Sequence, residues 1–129
     1  MLFNFKKNEN KLRILYNKET NIEIGKVKIA NNFSSRLLGL MFKRNAEYPL
    51  LFEIPNRIKD KHRSSIHGFF MRFDLKLVFI DEKNIIYELA DLKPWKYYVP
   101  QKRAKYIIEF DKREFKNYDL KIGDEIELK

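Results

Sequence analysis

The amino-acid sequence predicts an α+β, mainly β domain: a compact antiparallel, partly closed barrel of about seven or eight strands with two short helices. Three observations lead there. Apolar and polar residues alternate along most of the chain, the period of a strand with one buried face. The runs are joined by short polar connections that favour antiparallel neighbours. Only two segments switch to helical spacing. At 129 residues the chain is the size of one domain able to bury most of its apolar surface. No repeat, low-complexity tract or Gly/Ser/Pro linker marks a boundary, so a single domain over 1–129 is expected.

The elements follow in order. "KLRILYNKETNIEIGKVKIA" reads as a hairpin around the polar turn Lys18 to Asn21, with Ile22 and Ile24, then Val27 and Ile29, inward on either side of Gly25. "NNFSSRLLGLMF" spaces Phe33, Leu37 and Met41 four apart with Leu38 beside them, and Asn32 or Ser34 can cap the resulting short helix. "YPLLFEIP" is an apolar run between prolines, a buried strand, and "NRIKDKHRSS" a basic loop. From Ile66 to Met71 the chain alternates Ile66, Gly68 and Phe70 against His67, Phe69 and Met71, as a strand covered on both faces would.

"LKLVFI" and "IIYEL" then form strands joined by the turn "DEKN". "LKPWKYYVPQKR" is a proline-bounded loop and "AKYIIEF" another strand. "DKREFKNYDL" begins a second short helix at Asp111 with Phe115 and Tyr118 three apart, and "KIGDEIEL" turns into a last strand.

Composition narrows the chemistry. The absence of cysteine excludes disulfides, thiolate metal sites and cysteine nucleophiles, and suits a reducing cytoplasm. "MLFNFKKNEN" supplies neither a secretory apolar region nor a spanning segment, so a soluble protein without a membrane partner is expected. Against 18 Asp+Glu stand 27 Lys+Arg, a formal net charge of +9 that steers polyanions by Coulomb attraction. The same Lys-, Ile- and Asn-rich composition also arises from genome bias or life at high temperature.

His67 is the first candidate for chemistry, because an unperturbed imidazole titrates near about 6.5 and can serve as base or ligand; the structural alternative is a strand histidine bonded to backbone. His62 falls in a lysine-rich loop and reads as solvated. A metal site from Asp60, His62 and His67 lacks any HxH, HExxH or Cys/His spacing, so neither metal nor cofactor is expected. Ser64 or Ser65 with His67 and Asp74 or Asp81 supplies the letters of a triad without a GxSxG elbow. Gly25, Gly39, Gly68 and Gly123 are too far apart for a phosphate loop.

Two binding surfaces remain. Met41, Phe69, Phe70 and Met71 can line an apolar pocket with Arg36, Arg44 or Arg72 as anchors for an anionic group. Trp95, Tyr97 and Tyr98 are interleaved with Lys93, Lys96, Lys102, Arg103 and Lys105, the combination a single-stranded nucleic-acid binder uses to stack bases and neutralise phosphates. Core packing and a rigid proline loop are the structural alternatives.

Four blocks in order, "RLLGLMF", "LLFEI", "IHGFFMRFDLKLVFID" with "LKPW", and "AKYIIEF" leading to "IGDEIEL", resemble the domain of unknown function 192 family, also called uncharacterised protein family 0127. The likeness runs from about Gly25 to Leu128, preceded by an N-terminal hairpin strand. The resemblance implies a compact β-barrel-like domain and no established activity. It also implies a threonine where Gly68 stands, and Pro-Ile-Asp where Asp74, Leu75 and Lys76 stand, so a carboxylate usual in relatives is a lysine here.

The function expected is that of a small cytoplasmic, non-enzymatic binding or accessory module. A shallow pocket near His67 and Trp95, with Met71, Arg72 and Arg36, would take an unknown small molecule or protein. The alternative is a nucleic-acid binder using Lys93, Lys96, Tyr97, Lys102 and Arg103, with weak non-specific binding expected at low salt.

Overall fold

A computed structural model describes residues 12–30, 48–54, 66–68 and 71–129. Among them the chain forms β1 (Leu12–Asn17), β2 (Ile22–Ala30), β3 (Leu50–Glu53), β4 (Ile66–His67), β5 (Leu75–Ile80), β6 (Ile86–Leu92), β7 (Tyr97–Tyr98), β8 (Tyr106–Asp111) and β9 (Ile126–Leu128). Seven of these make one sheet in the order β6-β5-β8-β3-β2-β1-β9, and β4 pairs with β7 in a separate two-stranded ribbon.

The mainly β reading holds, with corrections. The sheet is mixed, because β2 and β3 run parallel with Ile29 opposite Leu51, a pairing that no tight hairpin turn can make. It is not a closed barrel. Its edge strands meet through a single bridge between Ile85 and Glu125, with no ladder between β6 and β9.

Of the two short helices expected, only the second falls on described residues. The Phe33 to Met41 segment lies outside the described residues. The second is one 3₁₀ turn, Phe115–Asn117, after which Tyr118 returns to extended backbone. Spacing of three suits that tighter winding, and it lets Phe115 and Tyr118 both meet Phe110 edge-on, at 5.1 and 4.9 Å between centroids.

Polar side chains close the turns as their chemistry dictates. Asn17 Oδ1 accepts the Glu19 and Thr20 N–H groups at 3.0 and 3.1 Å, and Asn21 takes the left-handed conformation there at φ 57°. Asp81 Oδ1 does the same for Lys83 and Ile85 at 2.8 and 3.1 Å. Ile22, placed next to the first turn, is therefore 65% exposed rather than inward, whereas Val27 is fully buried. A register shift between Leu15 and Tyr16 falls opposite Gly25 and resets the alternation. No helix among the described residues is long and apolar enough to cross a membrane.

Each face of the sheet carries a core. Leu15, Val27, Leu51, Val78, Ile80, Ile108 and Phe110 pack on one side. Phe52, Leu75, Leu77, Phe79 and Ile107 pack on the other, where Ile66, Met71 and Tyr98 join them. This second face is the one the β4–β7 ribbon covers.

Candidate functional site

The ribbon begins with two paired positions, Ile66 opposite Tyr98 and His67 opposite Tyr97. Because neighbours along a strand face opposite ways, Ile66 is buried and Tyr98 packs against the core beneath, while His67 and Tyr97 face outward. Directly opposed residues stand about 5 Å apart at Cβ, so imidazole and phenol are neighbours on the exposed face.

The strand is shorter than its alternation suggests, because the chain turns at Gly68. Its carbonyl accepts the Met71 N–H at 3.1 Å and the Trp95 N–H at 2.7 Å, and its own N–H donates to the Lys96 carbonyl at 2.7 Å. A Cβ on Gly68 would stand 2.7 Å from the Lys93 carbonyl oxygen. Glycine thus occupies the position where the family resemblance implies threonine because the turn carrying Trp95 lies against it. Phe69 and Phe70 lie outside the described residues.

That turn runs from Lys93 to Lys96, closed by the Lys96 N–H on the Lys93 carbonyl at 3.2 Å. Pro94 takes the second position, for which its ring is preset. The third position needs positive φ and ordinarily carries glycine; here it is Trp95, at φ 67°. A bulky residue in this region is an outlier, worth roughly 1–2 kcal/mol of strain. Trp95 is nevertheless 59% exposed and Tyr97 70% exposed.

The ribbon is anchored from below by a group the sequence did not single out. A register shift at Phe79 and Ile80 sets Tyr87 and Glu88 together opposite Phe79, turning both toward the ribbon-covered core. Buried Glu88 accepts the Tyr98 hydroxyl and the Gln101 N–H, the latter at 2.8 Å. The hydrogen bond to Glu88, then burial and the carboxylate's charge, push the Tyr98 phenol up to about 12. Tyr87 donates its hydroxyl to the Lys102 carbonyl at 2.7 Å, and burial drives its phenol up as well.

The other sequence candidates divide. Lys93 and Lys96 are exposed in the Trp95 turn, next to Tyr97. Lys102 pairs with Asp81 at 3.7 Å and lies over the Tyr87 ring at 4.7 Å. Arg103 is engaged in structure: its side chain is only 9% exposed, bonds Glu82 at 3.1 Å and reaches the Ile54 carbonyl at 3.2 Å. Met71 is core. Arg72 lines a surface cavity with Phe73, Asp74, Lys112, Arg113 and Lys116. Arg36, Arg44, Met41, Asp60, His62, Ser64 and Ser65 lie outside the described residues.

Catalytic and metal chemistry gain no support from this geometry. Asp81, one carboxylate available to a triad, is committed to the β5–β6 turn and Lys102. Among the described residues no three His, Asp or Glu side chains converge as a metal site. The sequence also missed that Glu109 and Asp111 are buried. Both fall on the inward parity of β8 with Ile107, a signal that the isoleucines around them obscured.

Residues 14–128 match the family DUF192, described as an uncharacterized ACR. A UPF0127 protein of Pyrococcus furiosus is 37% identical over 116 residues, which cover 90% of this chain and 95% of that protein. A UPF0127 protein of Pyrococcus abyssi is 38% identical over 80% of this chain and 86% of its own length. Among solved structures, a protein of unknown function from Novosphingobium aromaticivorans aligns with TM-score 0.66 at 14% identity, covering 90% of this chain and 82% of that one. A candidate transcription regulator of Sinorhizobium meliloti aligns with TM-score 0.67 at 18% identity, covering 91% of each chain. At those identities the structural likeness establishes the fold.

Proposed function

We propose, for a chain that belongs to the uncharacterized DUF192 family, that it is a small cytoplasmic, non-enzymatic binding module whose contact surface is the outer face of the β4–β7 ribbon. The ligand is a small molecule or protein segment received between His67, Trp95 and Tyr97. One observation carries this reading: Trp95 is held in left-handed backbone while 59% exposed. Strain of this kind persists where the surrounding structure enforces it, and it clusters at ligand clamps. Gly68 and Glu88 supply that enforcement, through the backbone bonds to the Trp95 turn and the grip on Tyr98 and Gln101.

The test is saturation-transfer NMR on a defined mixture of small metabolites and short peptides, followed by amide mapping of any hit. The reading expects shifts at Gly68 and at 95–98 that Trp95→Gly abolishes. Hits mapping only to other parts of the sheet, or surviving that substitution, defeat it.

A second reading is supported by the exposure of Lys93 and Lys96 beside Trp95 and Tyr97: the ribbon stacks the bases of a single strand while lysines neutralise its phosphates. The Sinorhizobium meliloti likeness supports the fold alone, so this reading rests on the ribbon's own side chains. Oligothymidylate binding that falls steeply with salt favours it, whereas a buried small ligand hardly responds to salt.

A further inference from the structure

We propose that the cavity between the Arg72–Asp74 segment and the Lys112–Lys116 turn binds a small multivalent anion of the phosphate-monoester class, at a site separate from the ribbon face. The cavity has a volume of about 660 Å³, within the range of small-ligand sites. Arg72, Lys112, Arg113 and Lys116 line it with Phe73, and Asp74 is the one carboxylate in the lining.

Its walls are fixed relative to each other. The Lys112 N–H donates to the Asp74 carbonyl at 3.0 Å, joining the two segments. Asp111, 2% exposed, accepts both Arg113 Nε at 3.0 Å and Arg113 Nη2 at 2.6 Å. It also accepts the Arg113 backbone N–H at 3.0 Å. The guanidinium is thereby held 5.6 Å from the centre of the Phe73 ring. An arginine oriented by a buried carboxylate and an aromatic face is prepared for planar anion recognition rather than free to wander.

Charge favours an anion. Lys112 shares Asp91 with Lys76, at 3.2 and 3.0 Å, and Arg113 is matched by Asp111. Arg72 and Lys116 have no ion-pair partner among the described residues. The lining carries four positive side chains and one negative one; counting Asp91 and Asp111, which Lys112 and Arg113 already engage, leaves four against three, so the attraction comes from Arg72 and Lys116.

The probes are sodium phosphate and phenyl phosphate at matched ionic strength, titrated into isotopically labelled protein and followed by amide shifts. Saturable shifts confined to 73–74 and 112–116 are expected for both probes. The double substitution Arg72→Gln/Lys116→Gln should weaken binding at least about tenfold. Lys83→Gln, in the turn at the opposite end of β5, should leave it unchanged. No saturable shift, shifts spread over all basic residues, or equal weakening by Lys83→Gln would overturn the proposal. None of these outcomes bears on the ribbon.

Discussion

Gly68→Ala isolates the contact on which the ribbon depends. The new methyl would stand 2.7 Å from the Lys93 carbonyl oxygen and 3.5 Å from Pro94 Cα, so backbone rather than a flexible side chain must yield. Yielding separates the strands joined by the Gly68–Lys96 and Trp95–Gly68 hydrogen bonds, each 2.7 Å. Two hydrogen bonds at about 1 kcal/mol each, or overpacking at roughly 1–3 kcal/mol, give an expected loss near 2 kcal/mol. Trp95 is the only tryptophan in the chain, so its emission reports the turn while urea unfolding reports the whole domain. The substitution should alter that emission in the native state, lower the urea midpoint and speed amide exchange at Trp95. Stability within about 0.5 kcal/mol of wild type, with unchanged emission and exchange, would refute the packing argument.

Phe79→Ala should cost about 3–5 kcal/mol in chemical denaturation, because Phe79 is fully buried with the Tyr98 and Tyr87 rings at 5.7 and 6.3 Å. Tyr98→Phe removes a hydrogen bond to a carboxylate and should cost roughly 1.5–3 kcal/mol at neutral pH. The Tyr98 phenol is raised from 10.0 to about 12 by its bond to Glu88 and by burial, so the folded state keeps a proton the unfolded chain has released. Its contribution is therefore full below pH 10 and lost as pH rises through 12; an alkaline titration of stability should be flatter there in Tyr98→Phe. Arg103→Ala should destabilise the fold by about 1–3 kcal/mol while leaving oligothymidylate affinity nearly unchanged, whereas Lys96→Ala should do the reverse. An oligonucleotide defect in Arg103→Ala as large as in Lys96→Ala would return that arginine to the binding face.

What the sequence disclosed tracks what a period of two can encode. The runs at 12–17, 75–80, 86–92 and 106–111 are strands because their alternation decides which face is buried. Strand pairing is not so encoded: the parallel β2–β3 contact joins segments far apart in the chain, and local connections alone suggest an antiparallel sheet. The Ile66 to Met71 alternation was misleading because Gly68, which accepts two backbone N–H groups, ends the strand after two residues. His67 and Trp95 were legible as candidates, and the structure brings their strands together at the His67–Tyr97 pair. Glu88 was not, since a bulge breaks the parity by which its facing would be read. Arg103 reads like its basic neighbours in sequence; only the approach of Glu82 and the Ile54 carbonyl distinguishes it.

The most direct test compares stability in Trp95→Gly, because the ribbon reading holds that this ring is retained for contact rather than for folding. Glycine relieves roughly 1–2 kcal/mol of left-handed strain and gives back about 0.5–1 kcal/mol through added freedom in the unfolded chain. With Trp95 59% exposed, far less surface is released than from a core aromatic, so urea unfolding followed by circular dichroism should place the variant within about 1 kcal/mol of wild type. A loss of roughly 3 kcal/mol or more, the scale of a truncated core aromatic, would mean that Trp95 serves the fold and would contradict the assignment of the ribbon as a binding surface.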